Sequence, residues 1–388
     1  MKRTGMMFLL GICSVCLLHA QDSAVITNLL NRIVTQQVQT KDSFFLPGIF
    51  PSYVSKHNRL YEQKKDNNIF YNALISYTFK GIYRYVNTEQ QAIIQRIDST
   101  AASLYPYFKN RKGRNTYNFW RTDTGFVFPY TNWIHKVRKS VTLPDDFDDT
   151  VLSLMAVDAP DSIAAAVHTL MQRYVNSDTN HIKTTLPPYE KIPAYSTWFG
   201  KKFPVVFDVC VLSNVLGFVQ TYHLHWNKAD SASLQLIVSV INNKDHLKNG
   251  LLIAPYYTKP SIILYHLARL MSIQPIDELE ALKPALVKDA EEAFQSSDNI
   301  LEKMILSSAI MKWGYKPPEL LLPVNLNIDD MIEQNKLPFF IGNMPSYFPN
   351  FYKNILLKMK WGLYYHFCPA YNDALFLEYL LLKRSFNN

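Results

Sequence analysis

The strongest constraint on the fold is an alternation between two kinds of helical segment. Pro260–Met271 (PSIILYHLARLM) and Ile300–Trp313 are apolar on most sides, as a helix buried all round must be. Asp277–Phe294 (DELEALKPALVKDAEEAF) is one-sided, as a helix with a solvent face must be. The same contrast runs along the chain. Asn68–Val86 is followed by Thr88–Tyr107, and Asp148–Val157 by Asp161–Val175, whose start is marked by Pro160. Phe207–Tyr222 pairs with Asp230–Asn243, Ile300–Trp313 with Asn327–Asn335, and Pro369–Lys383 closes the series. Buried and half-buried helices repeated about six times predict two concentric rings. The expected fold is therefore all-α, a single α/α toroid over residues 21–388. Only 12 glycines, set against long apolar stretches, argue against a turn-dense β fold.

The first twenty residues stand apart. Lys2 and Arg3 precede an apolar run to Leu18, and Leu18-His19-Ala20 offers a small-residue cleavage site. This is the plan of a secretory signal peptide, too short to span a bilayer comfortably, so the expected location is periplasmic or secreted. Cys210 and Cys368 then remain, either as one disulfide or as two buried thiols. With 40 Lys+Arg against 32 Asp+Glu, the excess positive charge is thin and scattered, which excludes a nucleic-acid partner. The chain carries no dinucleotide fingerprint, phosphate-binding loop or serine-hydrolase elbow.

The sharpest local feature is Asp145-Asp146-Phe147-Asp148-Asp149-Thr150, at the head of an apolar helix. Asp is favoured at a helix N-cap, but a cap needs one or two carboxylates. Four within five residues repel one another and lose solvation when buried, which raises the pKa of at least one. A carboxylic acid kept protonated beside an apolar cavity suits protonation of an alkene or epoxide.

Asp146-Phe147-Asp148-Asp149-Thr150 resembles the DxDD-T motif of the class II terpene cyclases, in the α/α-toroid superfamily that also holds the protein prenyltransferases. Phe207-Asp208-Val209-Cys210, running into Asn214 and Leu216, is similar to an inner-helix entry of that superfamily, as is Tyr256-Tyr257-Thr258-Lys259-Pro260. The resemblance implies that Asp148 is a proton donor oriented by Asp146 and Asp149. It also implies an isoprenoid substrate bound beside Asp208 and among Trp120, Trp198, Phe199, Tyr256, Tyr257 and Tyr371, whose rings stabilise carbocations, with no cofactor. Family cyclases set this motif between two helical domains, so a second domain in trans or a homodimer is implied.

Three alternatives are open. Asp145-Asp146-x-x-Asp149 also spells the Mg²⁺–diphosphate motif of class I synthases, but the second metal motif is missing. Asp208 and Cys210, with His266 and His366, resemble a prenyltransferase zinc set. A secreted toroid acting on a glycan, or one that only binds a ligand, would also suit an Asp-rich loop with Trp and Tyr. His223-x-His225 lies between helices without a third ligand nearby, as surface histidines do.

Overall fold

A computed structural model describes residues 24–40, 42, 44–57, 59–124, 128–130, 143–200, 203–322 and 327–387. The expected signal peptide lies outside these residues. Helices of nine or more residues are numbered in chain order: α1 (24–36), α2 (Phe70–Ile82), α3 (Thr88–Ala102), α4 (Phe147–Ala156), α5 (Asp161–Met171) and α6 (Val209–Thr221). They continue as α7 (Lys228–Asn242), α8 (Pro260–Met271), α9 (Lys283–Ser296), α10 (Ile300–Lys312), α11 (Asn350–Lys358) and α12 (Pro369–Asn387).

Six of these helices form a closed cycle of neighbours. α2 packs on α4, α4 on α6, α6 on α8, α8 on α10, α10 on α12, and α12 returns to α2. The members are buried nearly all round: every residue of α8 after Pro260 is buried, and so is α6 as far as Gln220. The remaining helices show one buried stripe, except α11, in which only Lys353 is buried. α3 and α7 lie beside α2 and α6, α9 lies beside α8 and α10, and the short helix Ile328–Gln334 lies beside α12. α1 is tied to α12 by Arg32 and Asp373.

Local chemistry sets the helix ends. Asn87 and Asn227 start α3 and α7 with reciprocal capping boxes, while Asp146, Asp208 and Asn299 cap α4, α6 and α10 with their side chains. α4, α6 and α10 end alike, in a residue at positive φ followed by a backbone N–H that reaches back to the helix: Ala159 to Leu154 at 3.0 Å, Leu224 to Val219 at 2.9 Å and Tyr315 to Ile310 at 3.1 Å. Gly314 takes that position once, but Asp158 and His223 take it as non-glycines, which a chain with few glycines has to accept.

Two expectations need correction. The segment Asp277–Phe294 is not one helix: it breaks into Asp277–Glu280 and α9, whose first turn holds Pro284, a residue without a backbone donor. The fold is also not all-α. A four-stranded antiparallel sheet of β1 (Ser52–Lys56), β2 (Arg59–Asp66), β3 (Phe340–Asn343) and β4 (Leu363–Phe367) has the order β2-β1-β4-β3. β1 pairs with β4 through Tyr53 and Phe367, joining residues from the two ends of the chain.

That sheet is fixed over the end of the cycle where α4, α6 and α8 begin. Asp66 is fully buried and accepts from Trp120 Nε1 at 2.9 Å and Asn68 Nδ2 at 2.9 Å, and it faces His366 Nδ1 at 3.1 Å. Ile341 of β3 donates its backbone N–H to Tyr256 at 2.9 Å, just before α8. Phe340 meets Phe70 at 5.4 Å and Phe119 at 5.6 Å between ring centroids.

Candidate active site

The acidic segment is clamped by backbone on both sides. Asp146 N–H donates to Tyr117 at 3.3 Å, Phe147 N–H to Thr197 at 2.8 Å, and Phe199 N–H to Asp145 at 3.0 Å. The four carboxylates then divide. Asp145 turns away from the ring axis and accepts from Asn110 and Thr116, each at 2.5 Å, with Arg114 at 3.8 Å. Asp146 caps α4, its Oδ1 accepting the Asp149 N–H at 2.6 Å. Asp148 accepts from Asn214 Nδ2 at 2.7 Å through Oδ1 and from the Tyr257 hydroxyl through Oδ2. Asp149 Oδ1 is buried with no hydrogen-bond partner among the described residues.

Burial pushes the three inward carboxyls up, and their neighbours separate them. Asp146 rises to about 7, first through burial and then through the charge of Asp148, while its hydrogen bonds to Asp149 oppose the rise. Asp149 stands well above the ordinary value through burial, and next through the charge and hydrogen bonding of Asp146. Asp148 is raised by burial too, but Tyr257, Asn214 and the charge of Arg269 all pull it back. Near neutral pH the cluster therefore holds a proton on the Asp146–Asp149 pair, and Asp148 is the member best arranged to carry negative charge.

Asp146, Asp148 and Asp149 border a void of about 20 Å³ whose wall is completed by Phe70, Phe119, Thr197, Trp198, Val211, Tyr256 and Phe340. This is room for about one water molecule. Of the aromatics expected at the site, Trp198 and Tyr256 face the void, and Trp198 Nε1 donates to the Tyr256 hydroxyl at 3.2 Å. Tyr257 reaches the site through Asp148. Trp120 is committed to Asp66 at the sheet junction, Phe199 packs behind α4 on Phe147 at 4.3 Å, and Tyr371 lies under Phe339 at 4.9 Å. None of those three borders the void.

Asp208 is also a cap: Oδ1 accepts from Cys210 N–H at 2.9 Å and Val211 N–H at 3.3 Å, and Oδ2 from Tyr256 N–H at 2.9 Å. Burial lifts its pKa to about 7. The zinc alternative loses its geometry. Among the described residues no three His, Cys, Asp or Glu side chains are grouped to hold a metal ion. His366 faces Asp66 in the sheet, and His266 Nδ1 meets the Ile262 carbonyl at 2.8 Å. Cys210 and Cys368 are separate buried thiols, the second of the two options open in the sequence.

Sequence reasoning assigns no site role to Asn214, Arg269, Phe70, Phe119 or Phe340, although Asn214 falls in a segment that resembles an inner-helix entry. Asn214 and Arg269 sit one and three turns into apolar inner helices, where a buried polar side chain was the available signal. Phe119 and Phe340 come from loop and sheet segments with no helical period.

Comparison with protein-family models, with curated proteins and with solved structures finds no match to this chain.

Proposed function

We propose that the chain is an exported α/α toroid whose acid site protonates an apolar, unsaturated substrate, in the manner of a class II terpene cyclase. The closed cycle of six buried helices, flanked by one-sided helices, supports the toroid. The observation that carries the chemistry is the buried Asp146–Asp149 carboxyl pair, with Asp149 Oδ1 lacking a partner among the described residues, beside a void lined by aromatic rings. In the proposed step the Asp149 O–H bond breaks and its proton goes to one alkene carbon, the π electrons forming the new C–H bond. The neighbouring carbon becomes a cation, and Asp149 is left as a carboxylate. Trp198, Tyr256 and Phe340 offer π faces to that cation without attacking it. Loss of a proton from the cyclised cation yields a neutral product, and a solvent proton recharges the acid.

This assignment moves the proton from Asp148, where the resemblance puts it, to Asp149. Asp148 becomes the countercharge held by Tyr257 and Asn214. The void is too small for an isoprenoid, so catalysis requires Phe340 and β3 to draw back from Tyr256. A closed, largely aromatic wall favours this reading over a glycan hydrolase, which needs a wet cleft. A second helical domain or a second copy would complete the site above β3, where Phe351, Met359 and Trp361 are 71%, 69% and 52% exposed.

The test is product analysis after incubation of the mature chain in deuterium oxide with squalene, oxidosqualene and linear prenyl diphosphates. A cyclic product carrying one solvent deuterium is expected from wild type and absent from Asp149→Asn. Product formed equally by Asp149→Asn contradicts the assignment.

A further inference from the structure

The opposite end of the helix cycle holds a second cavity, of about 900 Å³, where α2, α6, α8 and α10 finish. That volume lies in the range of small-molecule sites. Its wall includes Tyr77, Met155, Thr221, Tyr265, Arg269 and Lys312.

Arg269 is the unusual member. It is 5% exposed, and its guanidinium stacks on Tyr77 at 4.3 Å and Tyr265 at 5.5 Å. One donor, Nη2, reaches Asn214 Oδ1 at 3.4 Å, while Nε and Nη1 have no acceptor among the described residues. A buried guanidinium with idle donors is costly, and the natural remedy is an oxyanion that takes two parallel hydrogen bonds.

The other charges at this mouth are mostly matched. Lys312 meets Glu378 at 3.0 Å, Glu378 also accepts from the Tyr265 hydroxyl at 2.6 Å, and Lys80 pairs with Asp158. Asp161 stands at the rim, and Arg84 has no carboxylate partner among the described residues. The carbonyl ends of the helices face the same space and disfavour an anion. Arg269 and Arg84 therefore have to supply the attraction, and Met155, Met271 and Ile273 give the cavity an apolar flank.

We propose that this cavity binds an organic oxyanion, a carboxylate or phosphoryl group on an apolar body, which draws the Arg269 guanidinium out from Tyr77 and Tyr265 and pairs with the donors that are otherwise shut off from solvent. The site is separate from the acid void and does not depend on the cyclase reading. The two ends are joined through one side chain, since Asn214 accepts from Arg269 and donates to Asp148.

The experiment is calorimetric titration of the mature chain, at constant ionic strength, with inorganic pyrophosphate and separately with hexanoate. Saturable one-to-one binding of either is expected, and whichever binds more tightly identifies the head group. Arg269→Gln should weaken that binding at least tenfold. Should Arg269→Gln lose its cooperative melt, Thr221→Trp, at an exposed position on the rim, fills the cavity and is expected to weaken binding to the same extent. Absence of binding by both anions, or unchanged affinity in a folded variant, overturns the proposal.

Discussion

Asn214, in the second turn of α6, donates its amide N–H to Asp148 in the first turn of α4 at 2.7 Å. With the Tyr257 hydroxyl on the other oxygen, Asp148 is, among the described residues, the one carboxylate facing the void whose two oxygens both have side-chain donors. That asymmetry sorts the cluster into a charged member and a protonated pair, and the chemistry proposed for the site follows from it.

Removing either donor strands a buried carboxylate. Asn214→Leu and Tyr257→Phe should each destabilise the protein by about 1–3 kcal/mol, measured by urea unfolding. Because both act on one carboxyl group, the double variant should fall short of or exceed the sum of the two losses. Additive effects would show that the two contacts are independent of Asp148.

Raised carboxyl pKa values fix the sign of the pH dependence. Asp146 takes up its proton near 7 in the folded state but near 3.8 when unfolded, and Asp149 is displaced in the same direction. Above the unfolded value the folded chain binds more protons, so stability falls as pH rises through 4 to 7 and goes on falling until Asp149 has ionised as well. The loss is on the order of 1.4 kcal/mol per unit of displacement. Asp149→Asn, which cannot ionise, should flatten the decline, as thermal melts across that range will show.

His223 holds φ at +50° to end α6, a conformation that favours glycine. His223→Gly should stabilise the chain by about 0.5–1 kcal/mol, because the residue is exposed and its ring makes only a rim contact with Gln274 at 3.2 Å. A lower melting temperature would contradict this account of the helix end.

Most helices were legible because their signal is local, although α1 and α11 were not read. Pro260–Met271 has the same limits in sequence and structure, and most other boundaries shift by only a few residues. The sheet was not legible because its pairs are remote and its strands are short. β3 has four residues, β2 is rich in charge, and Val54 meets His366 from the far end of the chain. The site was half legible for the same reason. Asp146, Asp148 and Asp149 announce themselves as a run, but the residues that decide which of them ionises come from α6 and from the approach to α8. Trp120, Phe199 and Tyr371 fit the expected composition of the wall but serve the sheet junction and the core.

Asp66 joins the sheet to the helix cycle. Asp66→Ala would take the acceptor from the Trp120 indole N–H and the partner from His366 in a buried site, leaving Asn68 with Ser52 alone, at a cost of about 2–4 kcal/mol. Since β3 covers the acid void, the same variant should speed proteolysis between residues 340 and 367 before the helices unfold. Cleavage rates equal to wild type would show that the sheet is held by other contacts.

The central claim is that a carboxyl proton persists beside the aromatic void near neutral pH. Infrared difference spectroscopy of the wild type against Asp149→Asn observes it directly, with no substrate required. The account predicts a protonated-carboxyl C=O band at pH 7 that is present in the wild type, missing from the variant and lost on raising the pH. A spectrum in which Asp149 contributes only carboxylate bands at pH 7 would contradict it.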